Sequence, residues 1–149
     1  MPGSYTNLLY HLVFSTKERR PLIAPAMKPR LREYIRAIVL EEEGEFLEFD
    51  GVADHVHLLV RLPPSRAVAD TLRMIKANSS KWMNETFRKG PRFAWQEGYA
   101  GFTVSQSQVP RLLTYIRAQE KHHRRVDFRS ELVALLRKNG IAFDERYLL

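Results

Sequence analysis

Cysteine is absent from the 149 residues, so neither a disulfide framework nor a thiolate metal site is open to this chain, and a reducing compartment is its simplest setting. Long apolar runs are absent too. No stretch approaches the ~20 residues that cross a bilayer, and Met1-Pro2-Gly3-Ser4-Tyr5-Thr6 lacks the basic-then-apolar pattern of an export signal. A soluble, cytoplasmic protein with no membrane partner is expected. Acidic residues are in deficit, 17 Asp and Glu against 24 Lys and Arg, which leaves a net charge of +7. A polyanion is the natural partner of a domain this basic. Internal repeats, low-complexity tracts and linkers are also lacking, and the length suits one domain with a real core.

Against these absences stands the stretch Asp54-His55-Val56-His57-Leu58-Leu59-Val60-Arg61-Leu62, ended by Pro63-Pro64. Neighbouring side chains of a strand face opposite ways, so Val56, Leu58, Val60 and Leu62 share a core face while His55, His57, Leu59 and Arg61 share the other. The imidazoles then lie about 7 Å apart along the strand, a spacing at which both can converge on one ion or one phosphate. A purely structural pair would look the same.

The other elements follow from periodicity. Leu8 to Ser15 reads as the first strand, with His11 as a hydrogen-bonded structural histidine, and the basic turn Lys17-Glu18-Arg19-Arg20-Pro21 follows it. Leu31, Tyr34, Ile35, Ile38 and Val39 recur at three and four, predicting a helix from Ala26 to Glu43 that Gly44 stops. A second strand within 45–53 forms a hairpin with the histidine strand. Val68, Leu72, Ile75, Trp82 and Met83 mark a helix from Arg66 to about Phe87, and a fourth strand covers Phe102 to Ser105. Ser107 as N-cap and Pro110 in the first turn open a helix from about Gln108 to Arg125. A last helix, Phe128 to Lys138, follows Asp127, and the tail from Ile141 to Leu149 is apolar enough to dock on the body or on a second subunit. The order β-α-β-β-α-β plus two helices is that of an α+β fold, a ferredoxin-like or RRM-like antiparallel sheet with added C-terminal helices. Its first and third strands are the central pair. The face bearing His55 and His57 stays open unless an added helix covers it.

On the Gln108–Arg125 helix, Tyr115 and Gln119 are four apart and share a face, about 6 Å from each other, off the Val109-Leu113-Ile116 stripe. Two neutral imidazoles and one amide oxygen would give three ligands and leave open positions, the arrangement of catalytic ions. Tyrosine, with an ordinary pKa near 10, needs such an electrophile or a nearby base to act as a nucleophile. Taken alone, Tyr115 reads as a half-buried helix residue and Gln119 as a solvated one. Lys76, Lys81, Trp82, Arg88, Lys89 and Arg92, with Ser79 and Ser80, suit phosphate contact and base stacking, although Trp82 lies on the core stripe. Lys17, Arg19 and Arg20 form a second basic cluster. Lys121, His122 and His123, beside Arg124 and Arg125, suit phosphate or solvent, with the histidines as substitute ligands.

In His55-Val56-His57 and Tyr115-Ile116-Arg117-Ala118-Gln119 the chain resembles the single-tyrosine HUH transposases, the small insertion-sequence and REP-associated transposases. The likeness continues in Tyr10-His11-Leu12-Val13-Phe14, Thr16-Lys17, Trp95-Gln96, Gly98-Tyr99, Phe102-Thr103-Val104-Ser105, His122-His123 and Leu148, so it covers nearly the whole chain as one domain, residues 1–149. The resemblance implies an enzyme that cuts and rejoins single-stranded DNA at hairpin-forming element ends. Tyr115 would attack the scissile phosphate and hold it as a 5′-phosphotyrosine, while His55, His57 and Gln119 hold Mg²⁺ or Mn²⁺. It also implies a homodimer, in which the tyrosine helix of one subunit often completes the site of the other. Imidazole ligands favour Mn²⁺ over Mg²⁺. The main competitor is an RRM-like nucleic-acid-binding module without chemistry, which should carry stacking aromatics on its central strands where this face offers histidines. A two-histidine phosphoesterase would repeat a His-x-Thr/Ser pair that does not occur, and a zinc hydrolase would leave Tyr115 purely structural.

Overall fold

The structure, a computed structural model, describes residues 3–148. Four strands, β1 (Leu8–Ser15), β2 (Glu45–Val52), β3 (His55–Leu62) and β4 (Ala100–Val104), make one antiparallel sheet in the order β2-β3-β1-β4. As expected, β1 and β3 are the central pair, with Val13 opposite His57 and Ser15 opposite His55. Alternation along β3 sends Val56, Leu58, Val60 and Leu62 into a core with α1 (Lys28–Glu41) and α2 (Val68–Thr86), which contribute Leu31, Ile35, Val39, Leu72, Ile75 and Met83.

The stop at the end of α1 differs in detail from expectation. Glu43, not Gly44, takes the left-handed conformation (φ 62°), and the Gly44 N–H closes back on the Val39 carbonyl at 2.9 Å. Glycine is needed at 44 for room: a Cβ there would sit 2.9 Å from Leu62 Cδ2 and 3.2 Å from the Arg61 carbonyl oxygen.

The histidine face is covered. Val109 and Ile116 of α3 (Val109–Arg117) pack on Leu9 and Leu59, and Phe128 and Leu136 of α5 (Phe128–Lys138) pack on Val13 and Phe102. Tail residues Phe143 and Leu148 dock on that second cluster, while Ile141 and Tyr147 stay exposed; Leu149 lies outside the described residues.

The single helix expected over Gln108–Arg125 is in fact two. Ser107 does not cap it, because it falls within a 3₁₀ turn, Gln106–Gln108, that precedes α3. Ala118 leaves helical geometry (φ −99°, ψ 20°), and its N–H bonds the Tyr115 carbonyl at 3.2 Å, a tightened last turn. A short α4 (Gln119–His122) sets off from there with Gln119 wholly buried. Asp127 then caps α5, accepting the Ser130 N–H at 2.8 Å.

Candidate active site

Strand β3 delivers His55 and His57 to the covered face, both with no exposed surface. What meets them is a carboxylate that the sequence reading did not single out. Glu131 Oε1 of α5 lies 3.1 Å from His55 Nε2, 2.9 Å from His57 Nε2 and 3.0 Å from His123 Nε2. Its other oxygen accepts the Tyr115 hydroxyl and lies 3.3 Å from His122 Nε2. The tyrosine and the strand histidines of one chain thus meet on one carboxylate.

The outer ring nitrogens are engaged as well. The His55 Nδ1–H donates to Asp54 Oδ1 at 2.8 Å, and His57 Nδ1 lies 2.8 Å from His11 Nε2. The Asp54 contact fixes the tautomer of neutral His55 with its lone pair on Nε2, facing inward. Although Glu131 is 3.1 Å away, His55 Nε2 has no hydrogen-bond partner of acceptable geometry, and Gln119 Oε1 and His122 Nε2 are also buried without one. Lone pairs aimed at a carboxylate in a buried pocket repel, and a cation among them removes the conflict. The donors suit one: His55, His57, His123 and Glu131 each offer a ligand atom within 4.8 Å of the others.

Burial pulls the His57 imidazole below its ordinary value, and it would do the same to His55, except that Asp54 and Glu131 raise that ring on balance. Burial, helped by neighbouring His57, holds His11 down to about 3, so it stays neutral. Burial alone would raise the Glu131 carboxyl, but the rings of His123, His55 and His57 around it hold it far below the usual carboxylate range. Burial and the adjoining Glu131 carboxylate push the Tyr115 hydroxyl well above 10, with the Gln119 amide opposing them. In this state Tyr115 is a neutral phenol, not a ready nucleophile.

Several residues expected at a DNA surface lie elsewhere. Ser79 is fully buried because the Trp95 indole N–H needs an acceptor and donates to its hydroxyl at 2.9 Å. Lys76 donates to the Gln96 and Gly98 carbonyls (2.6 and 2.7 Å), and Ser80 to that of Phe93 (3.3 Å), so these three stitch the loop before β4 onto α2. His122 and His123 turn towards Glu131 rather than to solvent or phosphate, because the break at Ala118 redirects the chain. Lys17, Arg20, Lys81, Arg88, Arg92 and Lys121 are exposed as expected. Arg19 is half-buried in a cleft it lines with Asp54, His123 and Arg124. On the far side, a cleft of about 440 Å³ is lined by His11, Tyr115, Arg111 and Lys138. A signal for Glu131 was available: it stands three after Phe128 and four before Leu135, on the apolar stripe, where a lone carboxylate has no solvent to face.

Residues 4–119 match the family described as IS200-like transposases. The chain belongs to that family. Among its relatives, the ISDra2 transposase TnpA of Deinococcus radiodurans is 26% identical over 125 residues, covering 78% of this chain and 87% of the relative. The transposase of insertion sequence IS200 from Salmonella typhimurium is 28% identical over 118 residues, 76% of this chain and 77% of its own. In three dimensions, a crystal structure from Deinococcus radiodurans R1 described as that of a transposase superposes with a TM-score of 0.66 at 27% identity, covering 80% of this chain and 95% of that one. A REP-associated tyrosine transposase bound to a REP hairpin superposes at 0.62, covering 83% and 73%; at 15% identity it speaks for the fold alone. Membership in the family makes this chain a DNA transposase, and no helix among its described residues is long and apolar enough to cross a membrane.

Proposed function

We propose that this transposase is a single-tyrosine HUH strand transferase that cleaves and rejoins single-stranded DNA at hairpin-forming element ends. Tyr115 is the nucleophile and His55, His57 and Gln119 hold a divalent ion, Mn²⁺ or Mg²⁺. The observation that carries this reading is the meeting of the Tyr115 hydroxyl and both β3 imidazoles on one buried carboxylate of the same chain. When bound, the ion supplies Lewis-acid polarisation of a phosphoryl oxygen. The Tyr115 oxygen attacks phosphorus, the P–O3′ bond breaks, the phenol proton is given up, and the departing oxygen takes a proton to become a 3′ hydroxyl. Reversal at a new junction restores the phosphodiester and the tyrosine, so no nucleotide cofactor is consumed. The phosphate enters by the cleft that Tyr115 shares with His11, Arg111 and Lys138, and the Glu131 oxygen facing Tyr115 yields the hydroxyl as it arrives.

The second reading, a non-catalytic RRM-like binder, predicts retention without a cut. Labelled single-stranded element-end DNA and Mn²⁺ should give a covalent protein–DNA adduct on a denaturing gel, which Tyr115→Phe and His57→Ala each abolish. An adduct of equal yield with Tyr115→Phe sinks the proposal. The assembly we propose is a homodimer in which each subunit uses its own tyrosine, and so a mixture of the two inactive variants should recover no cleavage.

A further inference from the structure

We infer that Glu131 and His123 are themselves ligands of the divalent ion, so that the centre is built from three imidazole nitrogens and one carboxylate oxygen, with Gln119 Oε1 as a further donor. This rests on the reading of His55 and His57 as metal ligands given above. Both added residues lie beyond residue 119, where the match to the family ends.

Three observations carry it. Glu131 Oε1 stands between 2.9 and 3.1 Å from Nε2 of each of the three histidines, and this equal approach places the carboxylate at the focus of the rings rather than beside one of them. Both side chains are more than nine-tenths buried, 2% exposed for Glu131 and 8% for His123, in a protein whose other buried acidic side chain on a strand or helix, Glu48, is met by two arginines. Among the described residues no Lys or Arg reaches Glu131; its partners there are four histidines and a tyrosine. A buried carboxylate needs positive charge. Finally, His55 Nε2 has its lone pair directed inward by Asp54 and lacks a hydrogen-bond partner. One ion among these atoms gives the carboxylate its counter-charge and each lone pair an acceptor.

The donor set also selects the metal. Three imidazoles and a carboxylate suit Mn²⁺, Fe²⁺, Co²⁺ or Zn²⁺, whereas Mg²⁺ is bound through oxygen and keeps its waters. The site is thus tuned to a first-row transition ion by a helix that follows the tyrosine.

The test is direct titration of the full chain with Mn²⁺ alone, reading the free aqueous ion by electron paramagnetic resonance, with the Co²⁺ visible spectrum as a second signature. Wild type should hold one ion per chain that a hundredfold excess of Mg²⁺ does not displace. Glu131→Ala and His123→Ala should each weaken Mn²⁺ at least tenfold and alter the Co²⁺ bands, with Glu131→Gln, which keeps an oxygen but no charge, in between. Wild-type affinity and spectrum in either variant, while His57→Ala loses the ion, overturn this inference alone. No ion in wild type, or full binding by His57→Ala, overturns the reading beneath it. Circular dichroism establishes folding, and if Glu131→Ala fails to fold, wild-type affinity and spectrum in the near-isosteric Glu131→Gln count against the inference.

Discussion

Glu48 shows what one side chain can tie together. It sits on β2, at the edge of the sheet, yet is 6% exposed, because Arg32 of α1 (3.2 Å) and Arg117 of α3 (2.6 Å) reach it from helices on opposite faces while the Phe49 N–H donates to it at 3.0 Å. Burial alone would raise its carboxyl, but the Phe49 N–H and then Arg117 and Arg32 outweigh burial and hold it below its ordinary 4.5. The stability it contributes is therefore complete above pH 4.5 and is lost as pH falls through the lower value of the folded state. Urea unfolding between pH 6 and 3 should show a steep acid loss that Glu48→Gln flattens, at a cost near neutrality of about 1–3 kcal/mol for the broken charge-assisted bonds. At this scale the sequence was legible for the shared facing of His55 and His57, which alternation along a strand reports. Glu131 was not found, because its meaning lies in partners 74 and 16 residues away, and the partnership of His11 with His57 across β1 and β3 is just as invisible to local spacing.

Among elements, α5 is the cover of the candidate site. Phe128 at its start stacks on the His55 ring with centroids 4.2 Å apart and is 5% exposed. Phe128→Ala should cost about 3–5 kcal/mol in denaturant unfolding, the range for deleting a buried aromatic, and should raise hydrogen exchange in α5 above that in β1 and β3. Equal exchange in all three would show that α5 is not a separable cover. Strand and helix identities were readable because alternation and the three-four spacing encode which face meets the core, and β1 and α5 have the boundaries expected of them. The break at Ala118 was not. Alanine is the strongest helix former and neither Gly nor Pro marks the spot, so what ends α3 is tertiary, the inward placement of Gln119. The left-handed Glu43 is a similar case, since the neighbouring Gly44 is required for close packing against Leu62.

For the molecule as a whole, a charge of +7 sets the range and salt sensitivity of its attraction to DNA. Lys81 and Arg88 are exposed on or beside α2, and Lys81→Ala with Arg88→Ala should flatten the plot of log affinity for single-stranded DNA against log salt by roughly 1.4, about 0.7 per lost phosphate contact. An unchanged slope would remove that end of α2 from the binding surface. Adduct formation on saturating DNA should survive this change, since neither residue is among the partners of Tyr115, His55 or His57. The strand imidazoles have no exposed surface at all. While the phosphate meets Tyr115 from its open cleft, an ion or chelator reaches these rings only past the cover, so the clock for loading and emptying the centre is set by breathing of the chain rather than by diffusion. A chelator should accordingly strip the ion at a rate that levels off as its concentration rises.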